Sequence, residues 1–539
     1  MMQEQPETKP LARPAIVMAI GTVLSRATGL GRIAAMAYAI GVAESRLADT
    51  YNIANTLPNV IYELVLGGVL TAVFIPVVVD QIKSAKSQGD AARDVSALVM
   101  ATLIVLAVVS LLAVIAAPWL MRLFTFRVGG ELGVAQQELA TFFFRVFAAQ
   151  IFLYGYSAIA DGLLNAHDRF ALPMFAPILN NVVVIGIFIA FGQMYKGETP
   201  LSSGAKWLLG AGTTAGVAAM AAIHWPFVRR LPLKLKWVVD FKHEAVRKLT
   251  RLSGWTIGYV VVNQIGFGVA LVLANGVQGG PTAYFVAFAF FQLPYGVVAV
   301  SIMTALVPTL ARLSLDEDFA SFSLRVGRGL RATAVILLPM TAATIVLALP
   351  GIEFLLQRGV MSASSSVLVA RVLQMFAIGI LPFAAWVLFL RAFYAMQDSR
   401  TPFMLNLIEV GTTIVLDIPF FWLWKIEGLA LAHTCGYVIG SVAAGIALSR
   451  RTKGLGGRHT TAQIFRVFVA SVAAGLAMWG ISSVISFSGW MRAPAQVVAG
   501  LVVGAAVFFA AAKAMRIEDL SVYRRLLRGG GGLGGGAGE

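Results

Sequence analysis

Seven side chains draw attention because a lipid interior makes each of them costly. Arg26 and Arg32 lie inside the first long apolar run, Asp49 precedes the second, and Asn59 and Glu63 follow Pro58 within it. Asp417 and His433 stand on either side of a short break between two later apolar runs. A charge held at bilayer depth costs about 2.5–3.5 kcal/mol on insertion scales and needs a partner or a wet cavity. Arginine at such a place suits phosphate, since its planar fork makes paired charge-assisted hydrogen bonds and stays charged when buried. Six residues of helix set Arg26 and Arg32 about 240° apart around the axis and about 9 Å apart along it. Gly29 and Gly31, between them, offer a loosening that turns both inward. The pair reads as an anchor for a pyrophosphate-type head group, against the plainer alternative of snorkelling or pairing with nearby acids. Glu63, one turn after Asn59, is placed to counter one of the arginines. Asp49 sits at the external end of its run, as a site acid or a solvated one. Asp417 and His433 are expected to face each other across a hairpin, either as a proton or cation site or as a polar contact between helices. Arg145 and Arg391 are expected to reach the membrane surface.

The elements that carry these residues follow from composition. Of 539 residues, 58% are hydrophobic and 13% charged, and the mean hydropathy is +0.81. Soluble domains average about 45–50% apolar and 25% charged residues. With a ruler of about 20 apolar residues per span, 14 runs emerge between residues 15 and 515, and no polar block of domain size interrupts them. The expectation is an all-α polytopic membrane protein with about 14 transmembrane helices. Positive charge fixes its orientation. The termini and the loops after even-numbered runs hold 29 of the 42 lysines and arginines, with eight between Arg229 and Arg251 alone. Both termini are therefore expected in the cytoplasm. The net charge of +16 belongs to these loops and not to a nucleic-acid surface, and the basic loop is expected to lie on anionic lipid. The first run is too long, and carries too many arginines, for a cleaved signal.

Motifs recur at one spacing. LPN at 57–59 and TAVFIP ending at Pro76 return as LPY at 293–295 and TALVP ending at Pro308, and NAHDRFALP ending at Pro173 is echoed by AMQDSRTP ending at Pro402. Offsets of 229 to 236 residues imply two homologous six-helix lobes in the same orientation, a plan common in transporters. The expected division is a cytoplasmic tail over 1–14, an N-lobe over 15–230 and a basic linker over 231–252. A C-lobe over 253–450, two added helices over 451–515 and a glycine-rich tail over 516–539 complete it. Enzyme signatures are missing: five histidines form no HExxH pair, there is no GxxxxGK[ST] loop, and Cys435 stands alone. No catalytic residue, metal site or cofactor is expected.

SRATGLGR at 25–32, Asp49 with LPN at 57–59, GLLNAHDRFALPMFAP at 162–177, LPYGVVAVSIMTALVP at 293–308 and RAFYAMQDSRTP at 391–402 together resemble the MurJ/MviN lipid II flippase family. The family belongs to the superfamily of multidrug and oligosaccharidyl-lipid exporters. The resemblance implies a two-lobed transporter of the bacterial inner membrane with a central cationic cavity of alternating access. Its implied substrate is the undecaprenyl-pyrophosphate-linked peptidoglycan precursor, and cell-wall synthesis proteins are implied as partners. It places the two arginines of the family's first helix on Arg26 and Arg32, and the external acid on Asp49. It also exposes departures. Family arginines after LPN fall on Tyr62 and Glu63, an eighth-helix arginine on Ala289, and an acid after the second arginine on Ile33. Of the cation site known in some members, Asp417 is kept, while the other positions fall on Ala270 and His433. Two rival functions stand beside this one: another exporter of the same superfamily, separated only by the motif set, and a membrane scaffold that transports nothing, for which the arginines would be dispensable.

Overall fold

A computed structural model describes residues 12–67, 88–167, 169–195, 201–232, 235–238, 240, 254–452, 454 and 457–520. Helices dominate, and no strand occurs among the described residues. Hydrocarbon offers no hydrogen bonds, so a spanning backbone must satisfy itself within its own segment. Nine of the described helices are long and apolar enough to cross a membrane, or ten if the pair Ala363–Ala377 and Ile380–Ala395, bent by 46°, is one span. The chain is a multi-pass membrane protein.

The chain forms two units, one of residues 1–40 and 50–260, the other of residues 41–49 and 261–539. The short segment Gly41–Asp49 thus packs with the second unit, although the chain on both sides of it belongs to the first.

Unit 1 contains α1 (Ala12–Ile40), most of α2 (Arg46–Tyr62), α3 (Gln88–Thr125), α4 (Gly130–Phe147), α5 (Ala149–Asn165), α6 (Ala171–Met194) and α7 (Ser203–Arg229). Lipid tails are as apolar as leucine, so helix association relies on close packing and on small residues. A side chain at Gly21 of α1 would strike Met174 of α6 at 2.8 Å, and one at Gly192 of α6 would meet Tyr38 at 3.1 Å. Tyr51 drives into the core edge-on to Phe143, Phe147 and Phe188, and its hydroxyl is 2.9 Å from Thr213 Oγ1.

Unit 2 continues from Val261 within α8 (Gly254–Ala274), through α9 (Gly280–Pro294), α10 (Val300–Leu315), α11 (Phe319–Val346), α12 (Ala348–Leu356), α13 (Ala363–Ala377) and α14 (Ile380–Ala395). It ends with α15 (Arg400–Thr452), α16 (Gly457–Val484) and α17 (Arg492–Ala514). Within α15 the backbone breaks at Lys425, with φ 53° and ψ −124°, close to the expected gap between runs at 403–424 and 428–449. The two arms then lie side by side. At the open end Asp398 accepts from the backbone N–H and hydroxyl of Thr401 and pairs with Arg451 at 2.6 Å. Further along, Gly440 rests on Glu409, where an added Cβ would come within 2.9 Å of Cβ and Cγ, and Gly436 rests on Thr413 and Glu409.

The repeat has a structural counterpart. α2 gives way after Pro58 to a π-helical turn at Glu63–Gly67, and α9 gives way after Pro294 to another at Tyr295–Ala299. The two turns start 232 residues apart, from 63 to 295. Proline removes a backbone donor and crowds the preceding carbonyl, and a widened turn absorbs the mismatch. The TAVFIP copy at 71–76 and Asp168 lie outside the described residues.

Gly436→Leu should wedge the arms of α15 apart and destabilise the protein by about 1–3 kcal/mol, as overpacking does. A lowered thermal unfolding midpoint in detergent, at unchanged expression, is the expected readout.

Candidate functional site

In unit 1, α1 runs unbroken past both arginines, so they remain on different sides of one helix. Its opposite face is committed to α6. Asn181 donates to Thr28 Oγ1 at 3.1 Å, and a Cβ at Gly31 would meet Ile185 at 3.4 Å. Gly29 and Gly31 therefore admit the neighbouring helix and do not loosen their own, contrary to the expectation that they turn both arginines inward. Arg26 lies exposed on the unit, and Arg32 is half-buried. Arg32 acts electrostatically on Tyr51 and Tyr154. Neither guanidinium has a hydrogen-bond or ion-pair partner among the described residues, so ten N–H donors are left for a ligand or water.

At the end of α2, Asn59 Nδ2 donates to Glu63 Oε1 at 3.2 Å as the helix enters its π-turn. π-Turns of this kind are frequent at functional sites. Beside them, Tyr62 faces Tyr154 of α5 with ring centroids 6.1 Å apart. Unit 1 thus carries four of the five residues singled out for substrate, Arg26 and Arg32 on α1 and Asn59 and Glu63 at the end of α2. To them it adds Tyr51, Tyr62 and Tyr154, which sequence reasoning did not select, since tyrosine in an apolar run looks like an ordinary membrane residue.

Asp49 belongs elsewhere. Its carboxylate is wholly buried in unit 2 and caps the start of α9, accepting from the Gly279 N–H at 2.7 Å, the Thr282 N–H at 3.2 Å and the Thr282 hydroxyl at 2.8 Å. Gly279 fits because its φ of +78° and the close approach of Ala43 both exclude a side chain. The same segment is fastened by Arg46 donating to the Asn275 carbonyl at 2.9 Å and Gln278 donating to the Ala43 carbonyl at 2.9 Å. Glu44 completes it, accepting from the Ser362 N–H at 2.8 Å and from the hydroxyls of Ser362 and Ser365 at 2.7 and 2.6 Å. Burial pushes the Glu44 carboxyl up, but these donors outweigh it and hold the group below its ordinary value of 4.5.

Asp417 and His433 do not meet as expected. His433 has Nε2 2.9 Å from the Tyr437 hydroxyl and Nδ1 3.4 Å from that of Tyr284, and it packs edge-on to Phe288 and Phe376. Helical spacing decides this, since residues four apart share a face and His433 thereby joins Tyr437 in an aromatic cluster. Asp417 is fully buried, and neither of its oxygens has a hydrogen-bond partner among the described residues.

Known proteins agree with this architecture. A family model described as lipid II flippase MurJ matches residues 36–494. A Synechocystis protein described as "probable lipid II flippase MurJ" is 25% identical over 503 residues, covering 89% of this chain and 91% of its own. A solved structure titled "Lipid II flippase MurJ, inward closed conformation" superposes with a TM-score of 0.73 at 19% identity, covering 93% of this chain and all of that one. An inward-facing transporter of the MATE family superposes at 0.62 with 13% identity, covering 82% and 99% of the two chains, and so shares the fold. Arg26 and Arg32 precede the range matched by the family model.

A group whose folded pKa is depressed stabilises above its ordinary pKa and stops doing so as pH falls. Between pH 7 and pH 4 the thermal midpoint of the wild type should therefore drop further than that of Glu44→Gln. Equal drops in the two proteins would show that the Glu44 clasp contributes nothing.

Proposed function

The chain belongs to the lipid II flippase MurJ family, and we propose on that premise that Arg26 and Arg32 receive the pyrophosphate of lipid II as it crosses the bacterial inner membrane. The observation that carries the assignment is a pair of guanidiniums on an apolar helix with no protein partner among the described residues. A pyrophosphate leaving water needs fixed positive charge along its path, and the forked donors of arginine satisfy paired phosphate oxygens.

The lipid-linked precursor enters from the cytoplasmic leaflet and leaves on the periplasmic side by alternating access. Asn59 and Glu63 offer a donor and an acceptor to the sugar or peptide portion, and Tyr62 and Tyr154 present aromatic faces to sugar rings. Asp49 acts at one remove, by holding segment 41–49 against α9. In unit 2 the candidate for ion coupling narrows to Asp417, since His433 is taken up by tyrosines. Both termini face the cytoplasm, and the basic stretch from Arg229 meets anionic lipid. Arg229 stacked 4.5 Å over the Trp225 ring and the 79% exposed Trp237 suit that interface.

Arg26→Ala and Arg32→Ala should each slow flipping about tenfold or more, equivalent to ~1.4 kcal/mol, with normal protein levels. Lysine replacements should restore part of the rate if the charge alone contributes and little of it if the paired fork is required. The measurement is the leaflet distribution of lipid II in cells depleted of the native copy. Normal translocation and growth in both alanine variants would move the site away from these arginines.

A further inference from the structure

Unit 1 buries a histidine between two oxygens. His224 of α7 is fully buried, its Nδ1 lies 2.8 Å from the Met220 carbonyl oxygen one turn earlier, and its Nε2 lies 2.9 Å from Asp161 Oδ1 on α5. A carbonyl only accepts, so Nδ1 carries a hydrogen. In the neutral ring Nε2 is then a bare acceptor, facing an oxygen of a carboxylate. Two lone pairs at that distance repel, and one additional proton between them turns repulsion into a hydrogen bond. With this proton the pair is electrically neutral overall, as imidazolium and carboxylate or as imidazole and carboxylic acid. Without it the pair carries one negative charge that the ring cannot solvate. Access is one-sided, since the His224 side chain is 1% exposed and that of Asp161 33%.

The surroundings are sparse in charge. α6, which packs on α7, has no ionisable side chain. α4 carries Glu131, Glu138 and Arg145, but it meets α7 at Trp207, Gly210 and Thr214. Thr214, the nearest of these, is ten residues before His224, roughly 15 Å along the helix. α3 meets α5 where Leu106 packs on Gly155, and it carries Asp90, Arg93 and Asp94 in its first turns and Arg122 in its last. α5 itself adds Tyr154 and Tyr156, His167 follows it, and Arg229 ends α7. The nearest link to the arginine site is Tyr62, which lies in the field of both Asp161 and Glu63. A proton lost from the pair therefore adds negative charge beside the π-turn that holds Asn59 and Glu63.

We propose that Asp161 and His224 form a proton-binding site in unit 1, and that one proton enters and leaves it in each transport cycle. Loading takes a proton from hydronium and leaves water, release returns it to water, and no other bond changes. The site stands on its own geometry, and its coupling to transport rests on the flippase function proposed above.

Two measurements test the proposal separately, using full-length protein and the variants Asp161→Asn and His224→Gln. Both substitutions are close in size to the native residue and keep a hydrogen-bonding group between α5 and α7. First, pH-difference infrared spectra are recorded in lipid nanodiscs without substrate. A pH-dependent carboxyl or imidazole band that is lost in Asp161→Asn and in His224→Gln, or displaced in the latter, supports the site, and a spectrum identical in wild type and Asp161→Asn overturns it. Second, the leaflet ratio of lipid II is measured in proteoliposomes with and without a gradient of one pH unit. For one coupled proton the wild-type ratio should shift by up to about tenfold, while both variants flip lipid II with a ratio that ignores the gradient. Wild-type flipping that ignores the gradient overturns the coupling and leaves the flippase function intact. Absence of flipping in the wild type overturns that function and the coupling together, and the infrared bands still decide the site.

Discussion

A lipid interior supplies no hydrogen bonds and no hydrophobic reward for bringing one apolar helix against another. The first constraint dictates helices throughout, because an unpaired N–H or carbonyl at that depth costs several kcal/mol. The second leaves association to contact at short range, and contact at short range needs small side chains. Gly21 and Gly192 bring α1 onto α6, and Gly436 and Gly440 bring the arms of α15 together. Once these backbones are close, the positions of the charged groups follow.

Charges inside such a body fall into three kinds here. Asp49 and Glu44 are saturated with donors and serve as fasteners. Asp161 and His224 satisfy one another through a proton. Arg26 and Arg32 are satisfied by nothing among the described residues. Guanidinium donors left without acceptors on an apolar helix suit a ligand that completes the set. The family to which the chain belongs supplies the nature of the transported molecule, and its anionic head group is the ligand we propose for the two guanidiniums.

The π-turns give the two units a common device. Each follows a proline in the motif that recurs in the sequence, and each widens the helix where polar or aromatic side chains gather. In unit 1 the turn begins with Glu63, in unit 2 with Tyr295. The same backbone solution thus carries different chemistry in the two units.

Much was legible from the chain alone. Hydrophobic runs, the proline motifs at a fixed offset and the arginines in the first run depend only on local composition and spacing, and local rules suffice to read them. Helix type, the break near Lys425 and membership of the family all came from that level. What the sequence could not decide was which face each helix presents and which unit each loop joins. Asp49 reads as a site acid or a solvated one at the external end of its run, yet it is wholly buried and caps the start of α9. Asp417 and His433 read as partners because they are close along a hairpin, yet a rotation of one helical face gives His433 to the tyrosines. Gly29 and Gly31 read as a weak point in their own helix, yet they are the notch for another. Asp161 and His224, 63 residues apart, carry no local signal at all. Each of these outcomes depends on contacts between residues distant in sequence, whose energies exist only once the helices are packed.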